Sequence, residues 1–254
     1  MSSLPFSRRS FLLGSSALAM SGCAYNLGER QVSPEKRASR LRLKFGVLSD
    51  IHITDWASTE IFRKTLRYFR SQRVDAVMIV GDMADHGLLC QLENVAKSWN
   101  EVFPNGKGIK GEPVEKLFVM GNHDADGLYY RDAAMDKAFA VHGFTYEAAA
   151  EQTLRKLGFA ACWEKCFGEK FEPIYRKSVK GYTFIGAHWD TWEGVGGLET
   201  WFANHAAEIP TDRPFFYFQH NSPRGTVYGA DSWGDDDGRS VRALSAYPNA
   251  VAFS

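Results

Sequence analysis

Four short blocks carry residues that could do chemistry: Asp50-Ile51-His52, Gly81-Asp82, Gly121-Asn122-His123-Asp124 and His220-Asn221. Each follows directly on an apolar run, so each would be delivered by the C-terminal end of a buried strand to one edge of a sheet. The side chains are carboxylate, imidazole and amide, with no cysteine among them. That donor set suits Mn, Fe or Zn bound for hydrolysis and argues against an iron–sulfur or cysteine-rich structural site.

The order of these blocks resembles the calcineurin-like metallophosphoesterases, whose signature runs D-x-H, G-D, G-N-H-D/E, a later His and a final G-H-x-H. The resemblance extends from about Lys44 to Ser254 and covers the first four blocks. The fifth would follow the apolar run at Ala250-Val251-Ala252-Phe253, where the sequence stops. It implies an α/β fold, a metallophosphatase-like central β-sandwich of mixed sheets flanked by helices and truncated at its C-terminus. It also implies two divalent metal ions: Asp50 and His52 complete one side with Asp82, and Asn122 and His220 complete the other. The missing block would add one His to each ion, which leaves each with three protein ligands.

The activity implied is hydrolysis of phosphate mono- or diesters by a metal-bridging hydroxide, impaired by the missing block. His123 would protonate the leaving oxygen, with Asp124 holding its other ring nitrogen and raising its pKa. Arg224, soon after His220, could meet the substrate phosphate with its guanidinium fork, or be an exposed loop arginine. The alternative is a catalytically silent metal-binding or structural protein that keeps the fold without the reaction. Against it, every ligand of the four blocks is intact.

The elements that must position these residues follow from pattern. Leu43 to Leu48 is a strand ending at Ser49-Asp50. Thr59 to Gln72 reads as a helix with Ile61, Phe62, Leu66 and Phe69 inward and a solvated basic face of Arg63, Lys64, Arg67 and Arg70. Ala76 to Val80 is apolar throughout, as a strand covered on both faces should be. Leu88 to Phe103 is the next helix and Lys116 to Met120 the third strand. This alternation means parallel neighbours. Leu128 to Phe167 is helical and irregular, either packed on the sheet flank or a lid over the pocket. Pro173 to Val179 and Tyr182 to Trp189 form a hairpin about Lys180-Gly181. Gly197 to Ala207 is a short helix with Leu198, Trp201 and Phe202 inward, and Pro214 to Phe218 is a buried strand. A strand near Ala250 leaves a sheet edge unpaired, an aggregation liability.

The other titratable residues read as structural. His188 is pocket wall or core, His86 a surface loop residue, His142 and His205 surface or interhelical contacts. Cys162 and Cys166 read as buried free thiols and Cys90 as core. Asp235-Asp236-Asp237-Gly238 lacks EF-hand spacing and reads as a solvated turn. Tyr228 and Trp233 could overhang the cleft.

The 254 residues fit one α/β domain, and 30 basic residues balance 30 acidic ones. That balance lacks the footprint of an obligate nucleic-acid partner, so the expected partner is a small phosphate ester. Residues 1–23 read as an export signal: Ser7-Arg8-Arg9-Ser10-Phe11-Leu12-Leu13 resembles a twin-arginine signal. Met20-Ser21-Gly22-Cys23 resembles a lipoprotein box, with Cys23 the lipidated residue. Residues 24–40 form a polar tether and the domain runs from 41 to 254. The expected location is the bacterial periplasm, free or held at the membrane by the lipid.

Overall fold

The computed structural model describes residues 43–54, 58–130, 137, 140, 145–189, 191–227 and 236–254. The export signal with Cys23, the tether, His142, Tyr228, Trp233 and Asp235 lie outside the described residues.

The first half alternates: β1 (Phe45–Leu48), α1 (Ser58–Ser71), β2 (Ala76–Val80), α2 (Leu89–Val102), β3 (Glu115–Val119) and α3 (Asn122–Asp126). The three strands pair in parallel in the order β1-β2-β3. Among the described residues three short helices follow, α4 (Tyr146–Ala150), α5 (Leu154–Leu157) and α6 (Phe159–Phe167). The hairpin β4 (Ile174–Val179) and β5 (Tyr182–Ala187) turns at Lys180-Gly181, both in left-handed backbone. Then come α7 (Leu198–Asn204), β6 (Phe215–Phe218), α8 (Arg239–Leu244) and β7 (Ala250–Phe253). β5, β6 and β7 pair in parallel, so the second sheet, ordered β4-β5-β6-β7, is mixed.

The period-two alternation of strand side chains builds the layers. Met78, Val80, Leu117 and Val119 on one face of the first sheet meet Val179, Phe184 and Phe218 of the second. Val77, Ile79 and Phe118 point the other way, into Leu66 of α1, Trp99 of α2 and Trp163 and Phe167 of α6. The outer face of the second sheet, with Ile185, Phe215 and Tyr217, lies under Leu198, Trp201 and Phe202 of α7. The result is a sandwich of two sheets with helices on both outer faces. Burying each such Leu, Ile or Phe contributes about 1.5–3 kcal/mol. The segment from Leu154 to Phe167 packs on the first sheet's flank.

Several expectations need correction. In α1, Ile61 is 75% exposed, whereas Arg63 is buried between Glu60 and Glu101. The buried face centres on Phe62 and Leu66, and position 61 lies about 100° from 62, while Glu101 of α2 supplies the charge that lets Arg63 go inside. Cys90 is exposed at the start of α2, Cys162 is buried, and Cys166 is half-buried; all three are free thiols. No helix among the described residues is long and apolar enough to cross a membrane.

Candidate metal centre

The ligand loops after β1 and β2 are stitched together by main-chain hydrogen bonds that carry the parallel pairing beyond the strands. Asp50 N–H donates to Gly81 O (3.3 Å), His52 N–H to Asp82 O (3.0 Å), Ile53 N–H to Met83 O (2.9 Å) and Asp85 N–H to Ile53 O (3.2 Å). Asp50, His52 and Asp82 have φ of 53°, 41° and 51°, in the left-handed region that side chains other than glycine seldom occupy. Such strain, about 1–3 kcal/mol per residue, gathers at functional sites. The glycines have a separate reason. A Cβ at Gly81 would run into the His220 ring, and one at Gly121 into Asp82 Oδ1, so the backbone approaches closely enough to admit no side chain.

Side chains from both sheets converge on Asp82, which is 2% exposed. Its Oδ2 lies 3.2 Å from His220 Nε2 and 3.6 Å from His52 Nε2, and its Oδ1 accepts the His123 N–H at 2.9 Å. Asp50 Oδ1 is 3.8 Å from His52 Nε2. Two sets of donor atoms lie within 4.8 Å of one another: Asp50, Asp82 and His220, and His52, Asp82 and His123. The His52 and His123 rings meet edge to face with centroids 4.6 Å apart. Asn122 is the first residue of α3, half-buried, directly after Gly121 and before His123.

This donor set fits divalent cations. His220 Nδ1 lies 2.8 Å from Val80 O, and His52 Nδ1 lies 2.7 Å from Asp85 Oδ1. With protons on those Nδ1 atoms, both Nε2 lone pairs face the carboxylates, as metal-bound histidines require. The carboxylates tune the rings in turn. Asp50 and then Asp85 raise His52 to about 10, and interaction with His52 lowers Asp50 to about 2. Burial pulls His220 down, but the Asp82 carboxylate more than reverses this and its pKa is raised. A cation entering the cluster must therefore displace protons from these imidazoles.

Asp85 was missed by sequence reasoning. Besides His52, its carboxylate faces His86 Nε2 at 3.3 Å, and its carbonyl oxygen is 2.7 Å from His123 Nδ1. The signal was a second carboxylate three residues after Asp82 on the same loop. The expected pairing of Asp124 with His123 is corrected. Asp124 is fully buried and accepts the N–H groups of Met83 (3.1 Å), Ala84 (2.7 Å) and Gly121 (2.9 Å), while Asp85 holds the His123 ring. Burial, then the neighbouring Asp82, push Asp124 up to about 7. Asp124 thus braces the loops from β2 and β3 that carry Asp82 and Asn122.

His86 is buried rather than on the surface, with Gln91 Nε2 3.2 Å from its Nδ1. His188 is core: Met120 N–H donates to its Nδ1 at 3.1 Å, and Trp163 and Phe171 enclose the ring at centroid distances of 4.6 Å. His205 ends α7, its ring stacked on Trp201. Arg224 is exposed on the loop after His220, its N–H bonded to Asp236 Oδ1 at 3.1 Å. Asp236 is not part of a solvated turn. It is buried and also accepts from Gly238 N, Ser240 N and Gln219 Nε2, which fixes the chain on either side of His220.

The sequence profile described as calcineurin-like phosphoesterase matches residues 43–247. The chain belongs to this family. No curated protein matches it at a significant level. Among solved structures it is similar to a dimetal phosphatase from Danio rerio, 12% identical, covering 82% of this chain and 79% of that one with a TM-score of 0.48. It is also similar to a purple acid phosphatase from yellow lupin (Lupinus luteus) seeds, 11% identical, covering 83% of this chain and 37% of that one, with a TM-score of 0.48. A third is GAP50, the anchor in the inner membrane complex of Plasmodium, 13% identical, covering 81% and 62% of the two chains with a TM-score of 0.37.

Proposed function

We propose that this calcineurin-like phosphoesterase is an exported hydrolase of small phosphate mono- or diesters, with two divalent cations held by Asp50, His52, Asp82, Asn122 and His220. The observation that carries the reading is the approach of His52 and His220, from different sheets, to the same Asp82 oxygen. When bound, the cations acidify a water for attack and neutralise phosphate charge. The chain's own residues do the rest. Asp82 would be the carboxylate shared by both cations, and its Oδ1, which accepts the His123 N–H, keeps the side chain in place. His123, its Nδ1 against Asp85 O, turns Nε2 toward the departing oxygen and gives it a proton as the ester P–O bond breaks. Arg224 supplies a guanidinium from the loop beyond His220. Cys23 carries the lipid that holds the exported domain at the membrane.

Metal analysis of the purified chain beside hydrolysis of aryl phosphate mono- and diesters tests the reading. Turnover that rises with added Mn²⁺ or Zn²⁺ and disappears with chelator is expected. Full metal loading without turnover of any ester would favour a catalytically silent protein instead.

A further inference from the structure

The cluster around Asp82 leaves unused a cavity of about 470 Å³ at the C-terminal end of α3. Ala125, Leu128, Tyr129, Ala150 and the Arg155 and Asp126 pair line it. Asp126 is three residues beyond His123 on the same helix, on the same face and about 4.5 Å further along the axis. The cavity therefore begins about one helical turn from the residue assigned to protonate the leaving oxygen.

Its lining is selective. Arg155 Nε lies 2.8 Å from Asp126 Oδ1 and its Nη2 3.0 Å from Oδ2, a fork that matches charge to charge. The same guanidinium lies over the Phe159 ring at 5.5 Å. Lys156, also in the wall, is 3.6 Å from Glu151. With each cation facing a carboxylate, the cavity offers no net charge to a second phosphate. The rest is aliphatic carbon, Gly127, the Thr153 hydroxyl, which is bonded to Ala150 O and Lys156 N, and the ring of Tyr129, which is 87% exposed. The volume falls within the range of small-ligand sites.

We propose that this cavity receives the leaving group of the ester and selects a flat, uncharged aromatic alcohol, an aryl or nucleoside group stacked on Tyr129. The proposal rests on the phosphoesterase reading, because what links the cavity to the reaction is its start about one helical turn from His123, the residue assigned there to protonate the leaving oxygen. Ala150→Phe fills the cavity, and Tyr129→Ala removes the ring at an exposed position. With the full chain supplied with Mn²⁺, kcat/KM for adenosine 5′-monophosphate and for p-nitrophenyl phosphate, each relative to glycerol phosphate, should fall about tenfold in either variant. Titration of the purified chain with adenosine and with p-nitrophenol reads the cavity without catalysis. Both variants should weaken whichever alcohol binds by about tenfold, and the tighter of the two identifies the source. Ratios and binding unchanged in both variants overturn the cavity assignment. Binding that the variants weaken in a protein that hydrolyses no ester overturns the phosphoesterase reading and leaves an aromatic-binding cavity standing.

Discussion

Asp85 holds three histidines at once, His52 and His86 through its carboxylate and His123 through its carbonyl. Asp85→Asn keeps the carbonyl but removes the charge that orients His52, so cation affinity measured by calorimetry should drop about 10–100-fold, the usual effect of losing such a partner. An unchanged affinity would show that His52 needs no orientation. The residues best read from sequence were those at strand ends beside glycine, because Gly81 and Gly121 are required by close approach and therefore mark where Asp82 and Asn122 must be. Asp85 has no such mark. The misassignment of Asp124 has a geometric cause: adjacent residues on a helix point about 100° apart, so Asp124 cannot face the His123 ring and turns inward to three N–H groups instead.

At the scale of elements, the end of β5 is tied to the end of β3. His188 accepts the Met120 N–H, and the Trp189 N–H donates to Met120 O. Burial, aided by Lys177, lowers His188 to about 3. Below pH ~6.5 the unfolded chain protonates this ring and the folded chain does not, so stability present above that pH is lost by up to about 1.4 kcal/mol per unit down to roughly pH 3. His188→Gln keeps an acceptor for Met120 and cannot titrate. Its urea midpoint should decline less steeply than the parent's between pH 7 and 4.5, and parallel declines would remove His188 from the acid response. The hairpin and the β1 to β3 alternation were legible because local pattern decides them. Whether a helical position faces in or out was not, since Arg63 depends on Glu101, 38 residues away.

Across the whole molecule, the pairing of β5 with β6 and of β6 with β7 spans long intervening segments, which periodicity cannot resolve. The sandwich was legible through family resemblance instead. Among the described residues β7 is the outer strand of its sheet, with Val251 41% exposed, no charged side chain stands on that strand, and formal net charge is zero. Val251→Lys should raise the concentration at which light scattering first detects aggregates, with secondary structure unchanged. No shift would place the adhesive surface elsewhere.

The main-chain ladder that continues past β1 and β2 has one more consequence. Because the amides of His52, Ile53 and Asp85 are already engaged across the two loops, the socket is rigid before any ion arrives. Deuterium uptake at these three positions should be slow in metal-stripped protein and barely alter on loading. A frame fixed in advance cannot widen to suit its guest, so cation affinities measured by calorimetry should follow ionic radius, with the smaller transition metals ahead of calcium.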